Sequence, residues 1–304
     1  MLEKQFVFHV GLHKTASTYL QDRVFPALDR SQICYVHKYD DFTMALVHAL
    51  RRGVIGQDAE IRDHIRRRFQ DVEQPRVLIS SEGFAGWPRA GYHNDFVRLT
   101  EGLAHLFPSA SIVLVVRNQI DWIVSLYKHS LRNGLTPVAE FLNFDAHEPH
   151  EETPERQRLA NALAYDFSRL HRFYRRTFAE DRVHILFFEE LQANPGQFLS
   201  RVSGVLNCQY ERAIEGRFEN RGYSSCLVAI VNRLLPMSRG PLARRLLHLL
   251  IRMPVLRGTD CSHVLLGPNA VARLRQYYSR CNVDLAEYMP SNQIKQKYYL
   301  AERA

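Results

Sequence analysis

Four runs of Val, Ile, Leu and Phe most strongly constrain the fold of this chain. They read FVFHV at 6–10, RVLIS at 76–80, SIVLVV at 111–116 and RVHILFF at 182–188. Polar residues rarely alternate with apolar ones in these runs, which is typical of parallel strands that are covered on both faces. A weaker run, ICYV at 33–36, is compatible with a further short strand.

Amphipathic patterns separate these runs and predict helices at about 17–29, 58–72, 93–106, 119–133 and 155–179. Beyond residue 190 the pattern is helical, with helices expected at Pro195–Leu206, Ser224–Leu235, Pro241–Ile251 and Pro268–Arg280. This order predicts an α/β fold, in which helices cover both faces of a central parallel sheet and the C-terminal part is helical. Because no internal repeat or flexible linker interrupts the sequence, we expect a single domain over residues 1–304.

The sequence does not carry the features of a secreted or membrane-spanning protein. No apolar run approaches the roughly 18–20 residues of a membrane span, and no small-residue cleavage site follows the short apolar run at the N-terminus. The five cysteines lack Cys-x-x-Cys spacing, which argues against a disulfide framework or a zinc site. We therefore expect a cytoplasmic protein.

The net charge of +8 predicts an anionic partner. No zinc finger or RNP-like aromatic stripe points to nucleic acid, so an anionic small molecule or membrane surface remains. Residues 226–258 hold much of the excess charge, because they contain no acidic residue and six arginines: Arg233, Arg239, Arg244, Arg245, Arg252 and Arg257. A basic amphipathic helix can lie on a membrane, and a solvated outer face is the other interpretation.

The residues that follow each strand run are the candidates for a functional site, because ligands of open parallel sheets bind beyond the carboxyl ends of the strands. GLHKT follows the first run at 11–15, SSEG ends the second at 80–83, and Arg-Asn follows the third at 117–118. The first loop combines a glycine, one lysine and hydroxylated residues at a helix start. This pattern is typical of an anion cradle, since backbone N–H groups and the helix dipole point to the same place; a capped surface turn is the alternative.

The first loop does not match the motif of nucleoside triphosphatases, Gly-x-x-x-x-Gly-Lys-Ser/Thr. His13 precedes Lys14, and Gly11 lies three residues before the lysine. No strand run ends in a clear magnesium-binding aspartate either. We therefore predict a loop that holds phosphate-like oxygens, with no metal site.

Three segments resemble the motifs of sulfotransferases that use 3′-phosphoadenosine 5′-phosphosulfate. GLHKTASTYLQ is similar to their 5′-phosphosulfate loop, and VVRNQIDWIVSLYKHSLRNG is similar to their 3′-phosphate motif, an arginine after a strand with a serine eight residues later. FFEELQANP resembles the aromatic-Glu-Asp/Glu-Leu turn after their fourth strand. The likeness is to the bacterial and carbohydrate-type branches, because Ser81-Glu82 stands where the cytosolic phenol/steroid type has a histidine.

The resemblance implies a three-layer P-loop-like fold and transfer of a sulfuryl group to a hydroxyl or amine of a carbohydrate or lipid-linked acceptor, without a metal. The donor-binding residues that it implies are Gly11, Lys14, Thr15, Ala16, Ser17, Thr18, Arg117, Ser125 and Arg221. Arg221 lies in ENRGYSS at 219–225, the nearest substitute for the family's Arg-Lys-Gly triplet. Gln119 and Trp122 depart from the family, which commonly has proline and arginine there.

Lys14, Glu82 and His13 are the predicted catalytic residues. Lys14 fits the task of neutralising charge on the bridging oxygen of the donor. Glu82 fits the role of general base, since a partly desolvated carboxylate at a strand end can have its pKa raised toward the working pH. An ion pair with an arginine is the alternative for Glu82, and His13 is a competing base that could also simply shape the loop.

Other residues near the motifs have two interpretations each. Asp121 is expected to cap a helix or orient Arg117, while Glu189 and Glu190 are expected to fix a turn or pair with basic residues. The aromatic residues that follow Glu82 could line an acceptor or adenine pocket or pack in the core: Phe84, Trp87 and Tyr92.

Two other functions are compatible with parts of the sequence. A nucleotide kinase or other phosphoryl transferase would require the Gly-Lys pair and the magnesium aspartate that are missing. A non-catalytic binder of a nucleotide or anionic glycan would keep the fold without the chemistry.

Overall fold

The computed structural model describes residues 4–53, 58–87, 92–131, 135–142, 162–214, 223–235, 245–247, 249–250 and 265–300. Within these residues, five strands form one parallel sheet in the order β2-β3-β1-β4-β5. The strands are β1 (Gln5–His9), β2 (Ile33–Val36), β3 (Arg76–Ser80), β4 (Ser111–Val116) and β5 (Val183–Phe187). The predicted α/β fold with a central parallel sheet is confirmed, whereas the single domain over the whole chain stays a prediction.

Helices flank and follow the strands. They are α1 (Ser17–Tyr19), α2 (Asp41–Arg52), α3 (Asp58–Phe69), α4 (Tyr92–Leu106), α5 (Gln119–Ser130), α6 (Val138–Leu142), α7 (Phe167–Phe178), α8 (Phe188–Ala193), α9 (Pro195–Leu206), α10 (Ser225–Leu234), α11 (Pro268–Cys281) and α12 (Asn292–Lys297). No helix of the described residues is long and apolar enough to cross a membrane.

Successive strand residues point to opposite faces of the sheet, and both faces are covered. Phe6 and Phe8 of β1 belong to a core with residues of α2, α4 and α7. Val7, between them, belongs to a second core with Phe25 and with residues of α9 such as Phe198. Burial on both faces is the physical reason why the strand sequences are continuously apolar rather than alternating.

The strand register places the end of β1 at the centre of the sheet edge. Val7 lies opposite Leu78 of β3 on one side and opposite Ser111 of β4 on the other. The loop after β1 therefore emerges between the ends of β3 and β4.

The helix expected at 17–29 has a mixed form. After α1, the chain makes a π-helical turn over Leu20–Val24 and a 3₁₀ turn over Phe25–Ala27. Pro26 has no N–H to donate to a continuing α-helix, and the helical stretch ends one residue later.

Helix α2 was not predicted, although its signals are present in the sequence. Asp40 caps its first turn by accepting a hydrogen bond from the Phe42 N–H, and Gly53 follows its last residue with a positive φ of 91°. Phe42, Leu46 and Leu50 recur every four residues and are buried. This spacing is the period of an amphipathic helix.

The helix expected at 155–179 is shorter at its N-terminal end. α7 begins at Phe167, where the Asp166 side chain accepts a hydrogen bond from the Arg169 N–H. Residues 162–166 are not helical, and residues 143–161 lie outside the described part of the chain. Of the helix expected at Pro241–Ile251, the described residues 245–247 and 249–250 are helical.

Candidate functional site

The loop after β1 has a backbone conformation that residues other than glycine rarely adopt. Lys14 and Ala16 have positive φ angles of 68° and 66°, and Gly11 has a φ of 34°. A Cβ atom on Gly11 would lie 2.8 Å from Ser17 Oγ, so this position accepts only glycine without a shift of its neighbours. Left-handed residues in such a turn direct successive N–H groups into one concavity, which is the geometry of anion-binding nests.

Side chains fix this loop through its carbonyl groups. Thr15 Oγ1 and Ser17 Oγ donate hydrogen bonds to the Leu12 carbonyl oxygen, over 2.6 and 3.2 Å. Trp122 of α5 donates from Nε1 to the carbonyl oxygen of His13. The tryptophan at the position where the family commonly has arginine thus anchors the loop to the helix that follows β4.

Arg117 directly follows β4 and is only 7% exposed. Its Nη1 lies 3.5 Å from the Lys14 carbonyl oxygen, to which it donates, and its guanidinium lies 4.6 Å from the ring centre of Phe188. Its Nε is buried and has no hydrogen-bond partner among the described residues. The guanidinium therefore lies against the loop, and its Nε–H forms no hydrogen bond with the described residues.

Hydrogen bonds to Glu189 and to the C-terminal segment hold the turn after β4 in place. Glu189 Oε1 accepts from the Asn118 N–H over 2.7 Å, and Oε2 accepts from the Tyr298 hydroxyl over 2.9 Å. Asn118 also accepts from the Tyr299 hydroxyl and donates to the Lys297 carbonyl oxygen. Burial raises the pKa of Glu189, against the opposing effect of these hydrogen bonds. The C-terminal segment thus becomes part of the turn that carries Arg117.

Glu82 lies on the other side of the loop, in the 3₁₀ turn Glu82–Ala85 that follows β3. Its Oε1 lies 3.7 Å from Lys38 Nζ, and its Oε2 accepts from Gln21 Nε2 over 3.2 Å. Both charged side chains are largely shielded, with 16% of Lys38 and 12% of Glu82 exposed.

The pKa of Glu82 is lowered, whereas the sequence predicted that it would be raised. Burial by itself raises this pKa, as expected. The ammonium of Lys38, the backbone N–H of Glu82, His13 and the Gln21 amide together outweigh burial, because each of them favours the carboxylate. Glu82 is therefore ionised at neutral pH, and its ion-pair partner is a lysine rather than an arginine.

His13 packs beside this carboxylate and against Trp87. The two rings are 4.3 Å apart at their centres in an edge-on arrangement, and Trp87 is 37% exposed. Burial lowers the pKa of His13 to about 4, with Glu82 opposing and the cations around it adding to the decrease. The imidazole is therefore neutral at pH 7. Phe84, in contrast, is buried in the core against Phe8.

His9 at the end of β1 extends the polar cluster below Glu82. Its Nδ1 lies 2.7 Å from Ser80 Oγ, and that hydroxyl also accepts from Gln21 Nε2 over 3.0 Å. Burial lowers the pKa of His9 to about 4. Gln21 thus joins the ends of β1 and β3 to the carboxylate of Glu82.

The structure brings together most of the residues predicted for the site. The loop residues, Arg117 and Glu82 follow three neighbouring strands at one edge of the sheet. Ser125 lies on α5 and is half-buried, and Thr18 is exposed. Arg221 lies outside the described residues, as does the side chain of Tyr92.

Two predictions about neighbouring side chains are decided by hydrogen bonds. The side chain of Asn118, not that of Asp121, caps α5, because Asn118 Oδ1 accepts from the Asp121 N–H, whereas an orienting role of Asp121 toward Arg117 stays a prediction. Glu190 forms an ion pair with Arg201 at 2.5 Å, which confirms its predicted structural role.

Sequence reasoning missed two residues that contact Glu82: Gln21 and Lys38. Lys38 follows β2, whose run was the weakest strand signal. Gln21 occupies a buried helical position, where a polar residue in an apolar pattern is the only signal.

The model of the sulfotransferase family matches residues 7–212 of this chain. The chain belongs to the sulfotransferase family. The match includes the loop after β1, the turn after β4 and the Glu-Glu-Leu turn after β5, so it covers the three segments that suggested the family. The predicted enzyme class is confirmed.

The fold is shared with a solved sulfotransferase structure. The sulfotransferase from Alicyclobacillus acidocaldarius is 17% identical, with 83% of this chain and 97% of that chain covered and a TM-score of 0.50. Mouse sulfotransferase SULT7A1 complexed with PAP is 13% identical, with 99% and 90% covered and a TM-score of 0.46. None of the curated proteins matches the sequence. Among the described residues, no group of three or more His, Cys, Asp or Glu side chains could hold a metal ion.

Proposed function

We propose that this sulfotransferase transfers the sulfuryl group of 3′-phosphoadenosine 5′-phosphosulfate to a hydroxyl or amine of a carbohydrate or lipid-linked acceptor. The strand order β3-β1-β4, which puts the loop after β1 between the strand ends that carry Glu82 and Arg117, supports the proposal. Arg117 donates a hydrogen bond to the carbonyl oxygen of Lys14, and Glu82 follows β3, the strand on the other side of β1. A cation-rich donor site and a carboxylate therefore share one edge of the sheet.

The donor site is the loop at residues 11–18 together with Arg117 and Ser125. The positive φ angles of Lys14 and Ala16 favour a backbone nest, and such a nest suits the oxygens of a phosphosulfate group. The unpartnered Nε of Arg117 suits the 3′-phosphate, since a guanidinium binds phosphate through two parallel hydrogen bonds. Arg221, the further 3′-phosphate contact implied by the resemblance, is part of the same proposal.

The donor supplies an activated sulfuryl group whose leaving group is a phosphate. In the transfer, a bond forms between the acceptor oxygen or nitrogen and sulfur, and the bond between sulfur and the bridging oxygen breaks. The electron pair of the broken bond stays on the bridging oxygen, where Lys14 stabilises the growing negative charge. The acceptor proton passes to the general base.

Glu82 is the base in this proposal. It is ionised at neutral pH and can accept a proton, although its lowered pKa makes it a weaker base than the sequence predicted. His13, whose pKa is about 4, is neutral at pH 7 and is the second candidate. Neither residue requires a metal to act.

Peripheral membrane contact through residues 226–258 belongs to the same proposal, because a lipid-linked acceptor would lie at a membrane surface. Of its described residues, the apolar side chains of Ile230, Leu234, Leu246 and Leu249 are exposed. Arg233 and Arg245 are exposed beside them. Exposed apolar groups flanked by arginines suit an anionic lipid surface.

Ligand-induced stabilisation tests the choice of donor. Adenosine 3′,5′-bisphosphate should raise the Tm, since a ligand that binds only the folded state stabilises it by mass action. ATP with magnesium should raise it markedly less. Equal or greater stabilisation by magnesium-ATP would favour a phosphoryl transferase and contradict the proposal. Tight binding of the bisphosphate without sulfate transfer to any acceptor would favour a non-catalytic binder.

A further inference from the structure

Two tyrosine hydroxyl groups of the C-terminal segment bind the turn that carries Arg117. Tyr298 is fully buried and donates to Glu189 Oε2 over 2.9 Å. Tyr299 is half-buried and donates to Asn118 Oδ1. Because Asn118 follows Arg117 in the chain and also bonds to Glu189, both hydroxyl groups act on the backbone beside the guanidinium.

Glu189 connects Tyr298 to this backbone. Its Oε1 accepts from the Asn118 N–H over 2.7 Å, directly after Arg117. The residue before it in the chain, Phe188, lies against the guanidinium, 4.6 Å from its carbon to the ring centre. A carboxylate that is bonded at both oxygens therefore fixes the backbone after Arg117 and the beginning of α8, which carries the ring in contact with the guanidinium.

The position of Tyr298 is itself fixed on two sides. Its ring packs edge-on against Phe187, with 5.4 Å between the ring centres. Its carbonyl oxygen accepts from Asn282 Nδ2 over 3.1 Å, and the same nitrogen donates to Gln119 Oε1 over 3.0 Å. Since the ring and the backbone are both held, the hydroxyl meets Glu189 in a defined geometry.

Tyr299 has a backbone conformation that residues other than glycine rarely adopt, with a φ of 65°. Such conformations persist only where the surrounding structure stabilises them, and they are frequent at functional sites. The ring of Tyr299 lies 5.9 Å from the Arg275 guanidinium, and its hydroxyl reaches Asn118. The C-terminal segment thus tolerates local strain where it contacts the turn after β4.

We propose that Tyr298 and Tyr299 are positioning residues for Arg117, which hold the turn after β4 so that the guanidinium meets the 3′-phosphate of the donor. Tyr298 acts through Glu189, because a fully buried side chain does not touch a ligand. A guanidinium binds phosphate through two parallel hydrogen bonds, and a displacement of about 1 Å is enough to disturb such an arrangement. This inference rests on the proposed function, since the ligand of Arg117 is the proposed donor.

Tyr298→Phe tests the inference, because it removes one hydroxyl group and keeps the ring. The buried Glu189 Oε2 loses this donor, so the carboxyl group should shift or take up a proton and its bond to Asn118 should weaken. We expect the Kd for adenosine 3′,5′-bisphosphate, measured by titration calorimetry on the full-length enzyme, to rise about threefold to tenfold, the scale of one hydrogen bond. An unchanged Kd would overturn the inference.

Tyr278→Phe is the matched control. Tyr278 is also fully buried, and its hydroxyl donates to the Ala162 carbonyl oxygen over 2.5 Å, outside the turn. This variant should lower the Tm, as Tyr298→Phe does, but leave the Kd unchanged. If both variants raise the Kd equally, the effect is one of general stability and the inference is wrong.

A double-mutant cycle shows whether Tyr298 acts through Arg117. In the Arg117→Ala enzyme, Tyr298→Phe should change the Kd by less than about twofold, the usual error of additivity, because the guanidinium that it positions is gone. An additive loss of affinity would overturn the inference and leave the proposed function intact. If Arg117→Ala by itself leaves the Kd unchanged, the proposed donor site is wrong, and the inference with it. Should Tyr298→Phe fail to fold, Tyr299→Phe at its half-buried position takes its place in the cycle with the same outcomes.

Discussion

The two flanks of the loop after β1 differ in how tightly their carboxylates are bonded. On the β4 flank, Glu189 accepts from Asn118 and Tyr298 with both of its oxygens, and Asn118 is bonded to the C-terminal segment. On the β3 flank, Glu82 has a lysine partner at 3.7 Å and an amide partner at 3.2 Å, and His13 beside it packs against the partly exposed Trp87.

This difference indicates which flank is prepared for which ligand. The network behind Arg117 holds its guanidinium in one geometry and leaves Nε without a partner among the described residues, which suits a nucleotide that is the same in every turnover. A carboxylate held by longer contacts near a partly exposed tryptophan suits a second ligand. We therefore expect variants of the β4 flank to affect donor binding and variants of the β3 flank to affect the acceptor and the chemistry.

Lys14→Ala should have the largest effect, because Lys14 lies between the flanks and acts on charge that develops in the transition state. We expect kcat to decrease by roughly 10² to 10³, the scale for one preorganised oxyanion donor. Steady-state kinetics with saturating donor measures the change. Lys14→Arg should also be impaired, since a planar guanidinium does not replace a compact ammonium in a tight loop. A near-normal kcat in Lys14→Ala would contradict the catalytic role of Lys14 and would mean that the loop is only a capped turn.

Glu82→Gln tests the chemistry assigned to the β3 flank. Turnover should decrease on the order of a hundredfold, the usual scale for a positioned base, and the Kd for adenosine 3′,5′-bisphosphate should change little. Isothermal titration and single-turnover rates separate the two quantities. If the variant keeps most of its activity on the natural acceptor, the base lies elsewhere and His13 becomes the next candidate.

Arg117→Ala tests the binding assigned to the β4 flank. Loss of a bidentate partner should weaken bisphosphate binding by roughly tenfold to a hundredfold, the scale of a charged hydrogen bond. Titration calorimetry gives the Kd. Arg98→Ala is the matched control, because Arg98 is an exposed residue of α4 that pairs with Asp95 and lies in neither flank. An equal loss of affinity in both variants would show that the effect is only one of net charge.

Lys38→Gln should produce the smallest change, a shift of the pH profile. Because the pKa of Glu82 is lowered, the parent activity should fall only when the pH drops below the usual carboxyl range of about 4.5. Without Lys38, the effect of burial on the pKa of Glu82 is opposed less, so this pKa should rise and the acidic limb should move to higher pH. The pH dependence of kcat/KM measures the limb, and Lys38→Arg should restore it. An unmoved limb in Lys38→Gln would mean that another group controls it.

Much of the fold could be predicted because its signals are local. The strands β3, β4 and β5 lie within their apolar runs, β1 begins one residue before its run and ends one residue earlier, and the weakest run also forms a strand, β2. Helix α2 was locally coded as well, by Asp40, the four-residue spacing after it and Gly53. The start of α7 could not be predicted. The sequence at 155–166 contains no local signal that separates it from the helix, which begins only after the Asp166 cap.

The sequence by itself determined the parallel α/β class, the loop at 11–18 and the arginine after β4, because glycines, caps and apolar periodicity act over a few residues. Only the tertiary structure decided the partners of the ionisable groups. Lys38 pairs with Glu82 across 44 positions, and Tyr298 donates to Glu189 across 109. The strand order creates the first contact by placing β2 beside β3, and the second arises because the C-terminal segment packs against the turn after β5. The direction of the Glu82 pKa depends on this order, since burial alone raises it and the lysine that arrives from β2 lowers it.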